Sequence, residues 1–406
     1  MTRQYKDSGI EWIGQIPMDW KMQPLAIYFA ENSKSNSDLG SVNALQFKYG
    51  EIIQKPTNGK ELTDKDRELL EKYTVVSPDD IVVNGLNLNY DLKSLRIAKV
   101  REDGIITSAY IVLRPRNGAN ASFYNYYLKA LDFQKIFHGM GVGIRLTLSY
   151  DELRSMLLAV PSFEEQQRIA NYLDKKCAEI DSLIELQEQM IAQLTDYKMS
   201  VITEAVTKGL NNKNKLVPSG IDWIEEIPEG WMVCRIKDLV NLQSGTNLTT
   251  MEISDNGTYP VYGGNGLRGY YEEYSNDGEY ILIGRQGALC GNINYASGKF
   301  WATEHAVVCY PKREFAKKWL GELLRTMNLG QYSLSAAQPG LSVERIKNLK
   351  MPLPSLSEQK IIASYLDSKC SEIDNLIAVK QQKIETLKEY KKSIIFECVT
   401  GKKEIN

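Results

Sequence analysis

Apolar residues recur in alternating steps of four and three along two long stretches of the chain. No glycine or proline interrupts the first stretch between Pro161 and Thr207, or the second between Pro354 and Thr400. This spacing is that of a coiled-coil seam, so it predicts two long α-helices. The seam positions are Leu173, Cys177, Ile180, Ile184, Gln187, Ile191, Leu194, Lys198, Val201 and Ala205 in the first stretch, and Leu366, Cys370, Ile373, Ile377, Lys380, Ile384, Leu387, Lys391, Ile394 and Cys398 in the second.

A Pro-Ser pair opens each predicted helix, and a glutamate follows three residues after the serine, as in a capping box. A helix of about 44 residues is roughly 66 Å long, which is too long to be buried inside one small domain. We therefore expect the two helices to pack against each other as an antiparallel coiled coil. Cys177 and Cys370 share a seam position, so we expect both to be core residues and not disulfide partners.

Two seam positions are polar in both helices: Gln187 matches Lys380, and Lys198 matches Lys391. Polar seam residues can fix the register of a coiled coil at some cost in stability. The alternative is that these side chains face solvent or a partner surface, and the sequence leaves both interpretations open.

The helices belong to an internal repeat. The phrase SGIEWIGQIPMDW at residues 8–20 returns as SGIDWIEEIPEGW at 219–231, and AVPSFEEQQRIANYLDKKCAEIDSLI at the first helix start returns as PLPSLSEQKIIASYLDSKCSEIDNLI at the second. The middles that follow each entry phrase, about 21–158 and 232–351, share little sequence. Repeated ends predict one architectural role performed twice, and dissimilar middles predict two different targets. Drift without constraint is the alternative explanation of the dissimilarity.

These patterns predict an α+β fold with a pseudo-twofold internal duplication: two globular mixed α/β domains separated by two long helices, packed as an antiparallel coiled coil. The predicted boundaries are residues 1–158 for the first domain, 159–208 for the first spacer helix, 209–351 for a linker and the second domain, and 352–406 for the second helix and a C-terminal tail.

Short β-branched runs closed by turn residues fill both middles, and setting Pro115 against Pro311 aligns Thr107 with Thr303. Lys and Arg outnumber Asp and Glu in the segments 85–116 and 284–319. Basic residues mixed with Asn, Gln, Ser, Thr and Tyr suit a surface that contacts phosphates and base edges. A solvated charged face is the simpler alternative.

Composition excludes several classes of protein. The chain has 406 residues, 43% hydrophobic and 25% charged, which is typical of two to three globular domains. It has no apolar run of the roughly 20 residues that span a bilayer and no signal-peptide segment, so we expect a cytoplasmic protein. Six cysteines without a CxxC pair and only two histidines argue against a zinc site or a disulfide framework. The net charge of -2 leaves nucleic acid open as a partner, since charge can be segregated locally.

Catalytic motifs are missing from the sequence: it has no GxxxxGKS/T phosphate loop, no HExxH, no GxSxG, and no GxGxxG between a strand and a helix. The glycine-rich segment YPVYGGNGLRGYY predicts a turn between strands and not a phosphate cradle. His305 lies outside any nucleophile-base pattern, which favours a structural or binding role. We therefore expect no metal site and no active site.

The doubled SGIxWIxxIPxxW phrase, the doubled PSxxEQxxIAxYLD helix start and the helix exits VTKG and VTG resemble the DNA-specificity subunit of type I restriction-modification systems, over essentially the whole chain. The second exit, VTGKK, departs slightly from VTKGL. Occurring together and in duplicate, these motifs are highly specific.

The resemblance implies that each middle is a target recognition domain, which reads one half of a bipartite, asymmetric site in double-stranded DNA. The paired helices would set the gap between the halves, with an upper limit of about 19 base pairs for a rod of roughly 66 Å. Two copies of an adenine-methylating modification subunit would dock and bring S-adenosylmethionine, and a restriction subunit would bring ATP and Mg. The chain itself would bind no cofactor and catalyse nothing.

Polar residues beside the glycine-rich and basic features are the candidate DNA contacts. They are Asn84, Asn87, Asn89, Lys93, Arg96, Ser108, Tyr110 and Arg145 in the first domain, and Asn265, Arg268, Arg285, Gln286, Thr303, His305, Gln338 and Ser342 in the second. Arg145 and Gln338 occupy equivalent positions, and such side chains pair bidentately with guanine and adenine. The alternative is that both only tie a loop to the helix that follows.

Two other functions stay open at this point. The chain could be a non-enzymatic scaffold whose two modules bind protein or glycan partners, or an enzyme with an unrecognised site. Sequence-selective DNA binding in the presence of a methylase partner would argue against the scaffold. Binding of S-adenosylmethionine by the isolated chain would favour the enzyme.

Overall fold

A computed structural model of the chain describes residues 3–48, 50–56, 63–88, 95–142, 146–211, 213–287, 289–333 and 340–405. The chain divides into two compact units: residues 1–187 with 382–406 form the first, and residues 188–381 form the second. Each unit holds one of the two dissimilar middles, the first part of one long helix and the last part of the other.

The first unit contains mostly short strands and short helices. Its strands are β1 (Tyr5–Asp7), β2 (Gln15–Pro17), β3 (Lys21–Pro24), β4 (Phe29–Glu31), β5 (Leu45–Lys48), β6 (Glu51–Gln54), β7 (Thr74–Val76), β8 (Ile81–Val83), β9 (Ile97–Lys99), β10 (Gly104–Ile106), β11 (Ile111–Pro115) and β12 (Leu157–Val160). Its short helices are α1 (Leu25–Tyr28), α2 (Asp64–Glu71), α3 (Ala121–Phe133) and α4 (Tyr150–Leu153), with a 3-10 helix at Ile136–Gly139. The first long helix, α5 (Phe163–Lys208), begins here.

Among the described residues, the second unit repeats this element order without a counterpart of α2. Its strands are β13 (Leu216–Ile221), β14 (Ile224–Pro228), β15 (Met232–Arg235), β16 (Val240–Ser244), β17 (Tyr259–Gly263), β18 (Gly266–Tyr271), β19 (Asn276–Asp277), β20 (Tyr280–Gly284), β21 (Ile293–Ala296), β22 (Lys299–Ala302), β23 (Ala306–Pro311) and β24 (Lys350–Leu353). Its short helices are α6 (Ile236–Leu239), α7 (Lys317–Thr326) and α8 (Val343–Ile346), with a 3-10 helix at Leu329–Tyr332. The second long helix, α9 (Leu356–Val399), begins here.

A four-stranded antiparallel sheet with one topology lies in each unit: β4-β11-β8-β9 in the first and β16-β23-β20-β21 in the second. The registers also agree, because Pro115 lies opposite Phe29 in one sheet and Pro311 lies opposite Val240 in the other. The alignment of Pro115 with Pro311 is thereby confirmed. The dissimilar middles therefore share this four-stranded sheet, called the frame below, although their sequences are not similar.

The units differ in what surrounds this frame. The first unit adds the hairpin β5-β6 and the pair β7-β10, whereas the second adds another four-stranded sheet of order β18-β17-β22-β19. The predicted turn in YPVYGGNGLRGYY is confirmed, since β17 and β18 form an antiparallel hairpin around it. The added elements are thus the variable part of each middle.

Both long helices are confirmed, with 46 residues in α5 and 44 in α9. The start of each helix packs with the end of the other: Cys177 and Ile394 belong to one apolar cluster in the first unit, and Val201 and Cys370 belong to one cluster in the second. Cys177 and Cys370 are buried and free, as expected for core positions. This pairing is antiparallel, as the seam pattern predicts.

One of the two polar seam positions, Lys198 in α5 and Lys391 in α9, makes matching ion pairs between the helices. Lys391 Nζ lies 2.6 and 2.7 Å from the two carboxylate oxygens of Asp181 in the first unit. Lys198 Nζ lies 2.7 Å from both carboxylate oxygens of Asp374 in the second. Of the two interpretations left open by the sequence, a role in register is supported at these positions.

The same hydrogen bond holds the repeated entry phrase against a helix start in both units. Trp20 Nε1–H donates to Glu165 Oε2 at 3.0 Å, and Trp231 Nε1–H donates to Glu358 Oε2 at 3.0 Å. Each tryptophan therefore anchors its phrase through one polar bond as well as through its apolar ring.

The predicted capping boxes are only half formed at these helix starts. Glu165 N–H donates to Ser162 Oγ at 3.2 Å, and Glu358 N–H donates to Ser355 Oγ at 3.3 Å. The second half of the box is missing because each glutamate carboxylate accepts from the tryptophan of the entry phrase instead.

The glutamine that follows each of these glutamates ties a shorter helix to the long one. Asn120 N–H, just before α3, donates to Gln166 Oε1 at 3.0 Å, and Ala316 N–H, just before α7, donates to Gln359 Oε1 at 3.1 Å. Both glutamines are buried. Asn120 and Ala316 therefore occupy equivalent places, and α3 and α7 are equivalent helices.

Glycines at the helix exits complete each junction. Gly401 has a φ of +73°, and a Cβ there would lie 2.4 Å from Pro17 Cδ. Gly209 has the same φ, and a Cβ there would lie 3.2 Å from Trp231 Cζ2. Entry phrase, helix start and helix exit, the three doubled motifs, thus meet at one place in each unit.

Candidate nucleic-acid interface

The candidate residues of the second unit lie in connections that leave one end of its central sheet. Gly284, the last residue of β20, lies opposite Ala306, the first residue of β23, and Ser244 at the end of β16 lies opposite Val307. The residues that follow Gly284 and the residues that precede Ala306 therefore leave the sheet side by side. Polar residues at such a sheet end are positioned by the sheet but not buried within it.

Backbone hydrogen bonds join these connections. Arg285 N–H donates to His305 O at 2.8 Å, and Leu341 N–H donates to Arg285 O at 2.8 Å. Gln286 forms an isolated β-bridge with Gly340. The segment that begins at residue 340, including Ser342, therefore joins Arg285, Gln286 and His305 at one surface.

The side chain of Arg285 is partly exposed and held from one side. Its Nη1–H donates to Ser244 Oγ at 3.1 Å. Among the described residues it forms no ion pair with a carboxylate within 4.0 Å. A guanidinium with most of its donors unused is suited to an acceptor pair such as guanine N7 and O6.

The turn between β17 and β18 adds two further candidates. A Cβ on Gly264 would lie 2.9 Å from Gln286 O and 3.3 Å from His305 O, so glycine permits this close approach. Asn292 Nδ2–H donates to Asn265 Oδ1 at 3.2 Å, and the Arg268 side chain is exposed. Asn265 and Arg268 are thus brought to the same end of the unit.

Several buried polar atoms here have no partner among the described residues. They are Thr303 Oγ1, Glu304 Oε2, His305 Nδ1 and Asn294 Nδ2. Glu304 Oε1 lies 3.1 Å from His305 Nε2. A buried polar atom without a hydrogen bond costs about 1 to 3 kcal/mol, and such atoms often mark functional sites. Thr303 is fully buried, so contact between its hydroxyl and DNA stays a prediction.

In the first unit, the matching candidates occupy the same end of the equivalent sheet. Ile111 lies opposite Val83, so Asn84 and Tyr110 leave the sheet together. Asn87 is exposed and has a φ of +52°, in the left-handed region that asparagine tolerates.

Ser108 and Tyr110 lie in the turn before β11. Tyr110 N–H donates to Thr107 O at 3.3 Å, and the equivalent bond, from Ala306 N–H to Thr303 O, is 2.9 Å. Ser108 is exposed. Burial raises the pKa of the Tyr110 hydroxyl, and nearby Tyr73 raises it further.

Arg96 is buried, with 1% of its surface exposed. Its guanidinium donates to the carbonyl oxygens of Asn84, Leu86 and Asn87 at 3.1, 2.8 and 3.5 Å. Its backbone N–H donates to Asp132 Oδ2 at 2.7 Å. In this arrangement Arg96 holds the 84–87 loop from within, so direct contact between its guanidinium and DNA stays a prediction.

Four candidates lie outside the described residues: Asn89, Lys93, Arg145 and Gln338. The suggested equivalence of Arg145 and Gln338 as base-reading side chains therefore stays a prediction. Their neighbours do show equivalent backbone bonds, since Leu148 N–H donates to Gly85 O at 2.9 Å as Leu341 N–H donates to Arg285 O.

Sequence reasoning missed four polar residues of this surface. They are Ser244, Asn292, Asn294 and Glu304. The candidates predicted from the sequence are neutral or basic polar residues beside the glycine-rich and basic features, so they do not include the carboxylate between Thr303 and His305. Acidic side chains accept hydrogen bonds from cytosine N4, and this preference could have pointed to Glu304.

Two further features were sought among the described residues, a metal-ligand cluster and a membrane-spanning helix. No group of three or more His, Cys, Asp or Glu residues there could hold a metal ion. No described helix is long and apolar enough to cross a membrane.

Comparison with known proteins identifies the family. The family model described as "Type I restriction modification DNA specificity domain" matches residues 97–196 and 228–389. The chain is 43% identical over 134 residues to the type I restriction enzyme EcoprrI specificity subunit of Escherichia coli, which covers 32% of this chain and 33% of that protein. It is 24% identical over 368 residues to the MjaVIII specificity subunit of Methanocaldococcus jannaschii, covering 82% of this chain and 83% of that protein.

A solved structure has the same fold. It is described as "Structural basis underlying complex assembly and conformational transition of the type I R-M system", and its matching chain gives a TM-score of 0.73 at 16% identity, covering 95% of this chain and 98% of that chain. None of these relatives supports the scaffold alternative. The chain belongs to the family of DNA-specificity subunits of type I restriction-modification systems.

Proposed function

We propose that each unit reads one half of a bipartite, asymmetric DNA site. One observation carries this proposal: the two units present different side chains on equivalent backbone positions. Asn84 N–H donates to Arg96 O and Gly284 N–H donates to Asn292 O, both at 2.8 Å, so Arg96 and Asn292 are equivalent. By the bonds from Leu148 and Leu341, Gly85 and Arg285 are equivalent too. One frame with two sets of side chains suits two different half-sites.

The long helices offer a matching pair of surfaces for partner subunits. In the first unit, Leu183 and Leu186 of α5 are 44% and 49% exposed. The equivalent residues in the second unit, Leu376 and Val379 of α9, are 51% and 64% exposed. Apolar side chains exposed in both copies are typical of a protein interface. We therefore assign these two faces to two copies of the modification methyltransferase subunit.

In this proposal the chain directs chemistry and performs none. The modification subunits would supply S-adenosylmethionine, and a restriction subunit, which also binds the complex, would supply ATP and Mg. The chain would act in the cytoplasm, where DNA and these partners meet.

Substitution of Arg285 tests the modular part of the proposal. If Arg285 pairs with guanine, Arg285→Ala removes about 1 to 3 kcal/mol of discrimination, roughly 5- to 150-fold, at one position. The chain is expressed with its modification subunit in a methylation-free host, and methylated adenines are mapped across the genome. We expect one half of the motif to relax and the other to stay unchanged.

A matched control is Arg313→Ala. Arg313 is exposed and follows β23 at the end of the sheet opposite to Arg285. This variant should leave the methylated motif unchanged. Equal relaxation of both half-sites in Arg285→Ala would refute the assignment of one half-site to each unit.

The gap between the half-sites would be set by the two helices. Inserting four residues, about one helical turn, after Gln187 and after Lys380 should lengthen the nonspecific gap in the methylated motif. The control replaces the three exposed residues that follow each of these positions, 188–190 and 381–383, with alanine and keeps the helix length. An unchanged gap in the insertion variant would rule out the helices as the ruler.

A further inference from the structure

A polar cavity of about 320 Å³ lies in the first unit between α3, α5, β9 and the β5-β6 hairpin. It is separate from the candidate nucleic-acid interface. Lys99, on its wall, lies opposite Ile81 at the start of β8, whereas the interface begins beyond Val83 at the other end of that strand. The residues that line the cavity are therefore not part of the candidate nucleic-acid interface.

Three cations from different elements converge on this cavity: Lys99, Arg101 and Lys129. Lys99 donates to Ser122 Oγ at 2.7 Å and lies 3.3 Å from an exposed carboxylate, Asp79. Arg101 lies 3.9 Å from Glu51, and both side chains are mostly exposed. These pairs are weak because water screens them.

Lys129 makes no ion pair with a carboxylate within 4.0 Å among the described residues, although it is partly buried. Burial lowers the pKa of its ammonium group, and the nearby charge of Lys391 lowers the pKa further. Of the two acids on the cavity wall, Glu51 raises the pKa of Lys129 but does not offset the lowering. The other, Asp174, accepts a hydrogen bond from Tyr126 at 2.8 Å. The cation of Lys129 is therefore poorly compensated by the protein.

The equivalent place in the second unit shows how such a cation is otherwise neutralised. Asn120 and Ala316 are equivalent residues just before α3 and α7. At the same distance along each helix, Arg325 is therefore equivalent to Lys129, and Glu322 is equivalent to Tyr126. Glu322 is buried, and its Oε2 lies 3.0 Å from Arg325 Nε. The second unit thus has a carboxylate at the position where the first unit has Tyr126.

One buried group adds information about the missing partner. Asn125 lines the cavity with 8% of its surface exposed, and its Oδ1 has no hydrogen-bond partner among the described residues. That atom requires a donor such as a hydroxyl, while the lysines and the arginine require acceptor oxygens. The cavity is also several times larger than the roughly 30 Å³ that one water occupies in the liquid.

We propose that this cavity of the first unit binds the phosphate group of a phosphorylated, hydroxyl-bearing molecule. Lys129, Lys99 and Arg101 would donate to the phosphate oxygens, and Asn125 would accept from a ligand hydroxyl. Nucleotides and nucleic acid backbones both present phosphate oxygens. The cavity volume and the donor requirement of Asn125 favour a free phosphorylated small molecule.

Binding of AMP to the full chain, measured by isothermal titration calorimetry at low ionic strength, tests the proposal. Lys129→Met removes a donor, and Tyr126→Glu introduces the carboxylate used by the second unit. We expect each to weaken AMP binding roughly tenfold or more, since charge-assisted hydrogen bonds to phosphate are lost. Circular dichroism and the thermal midpoint establish that each variant is folded.

The matched control is Lys317→Met in the second unit. Lys317 also lines a cavity, but it is already paired with Glu279 at 2.7 Å. Its loss should leave AMP affinity unchanged. Absence of saturable AMP binding to the unmodified chain, or unchanged affinity in folded Lys129→Met, would overturn the proposal.

Competition with a short non-cognate DNA duplex identifies the source of the phosphate. If the duplex does not displace AMP, the natural ligand is a small molecule. If it displaces AMP from the unmodified chain and Lys129→Met weakens duplex binding as well, the phosphate belongs to nucleic acid. Displacement without any effect of Lys129→Met on duplex binding means that the duplex acts elsewhere, and the small-molecule assignment stands.

Discussion

In the first unit Arg96 turns inward and donates to three carbonyl oxygens of the loop before it. In the second unit the equivalent residue is Asn292, which instead donates to Asn265 in the neighbouring hairpin. One loop is stabilised by a buried cation, and the other is stabilised by an element that the first unit lacks. Equivalent loops on equivalent sheets are thus held by different means.

This difference shows where such a protein can change. The frame of each unit depends on a few repeated contacts, the tryptophan-glutamate bond and the glutamine link to α3 or α7. The connections that carry the candidate DNA contacts make none of these repeated contacts. Their sequences can therefore diverge while the junction to the long helices is kept. These contacts explain how the middles can diverge without loss of the frame.

The two tryptophan junctions are similar but unequal. Trp20 is fully buried, and Arg3 adds an ion pair to its acceptor Glu165 at 2.7 Å. Trp231 is partly exposed. We expect Trp20→Ala to lower the free energy of unfolding of the first unit by about 3 to 5 kcal/mol, and Trp231→Ala to lower that of the second by about 2 to 3 kcal/mol, because less surface is lost from the core.

Amide hydrogen exchange measures this effect, since it reports the opening free energy of each unit separately. A single melting temperature does not suffice for a chain of two units. Trp20→Phe is the control for the hydrogen bond, because it keeps an aromatic ring and loses the Nε1–H donor. An equal or larger loss in Trp231→Ala would show that the partly exposed junction is not the weaker one.

Much of the frame could be predicted from the sequence alone. The uninterrupted four-three spacing between Pro161 and Thr207 determines α5, since helix periodicity is local and long. The doubled phrases locate both junctions because each keeps its tryptophan, glutamate and glycine. The phrases do not show which donor each side chain accepts from. The sequence therefore suggests a Ser162–Glu165 capping box, whereas the Glu165 carboxylate accepts a hydrogen bond from Trp20.

The candidate interface was only partly accessible to sequence reasoning. Turn residues such as Asn265 and Arg268 follow from a glycine-rich hairpin, and the structure brings them beside Asn292 and Gln286. The burial of Arg96 could not be foreseen, because a basic residue before a strand is equally consistent with a surface donor. Long-range packing decides which way such a side chain turns, and a single sequence does not record it.

The smallest effect that we predict concerns the ion pairs between the long helices. Lys391–Asp181 and Lys198–Asp374 have the same bidentate geometry, and their side chains have similar exposure, 29% and 56% for the first pair and 26% and 57% for the second. Because both pairs are screened by water, we expect a coupling energy of only about 0.2 to 1 kcal/mol for each.

Double-mutant cycles with Lys391→Met and Asp181→Asn, and with Lys198→Met and Asp374→Asn, measure these couplings by amide exchange in each unit. Both couplings should be equal within about 0.3 kcal/mol and should shrink together as salt is added. The pair Lys388–Glu385 lies within α9 at 2.8 Å and serves as the control for a contact that does not join the helices. A coupling present in only one unit would contradict the prediction. It would mean that the repeated lysine fixes the register of the helices in that unit and not in the other.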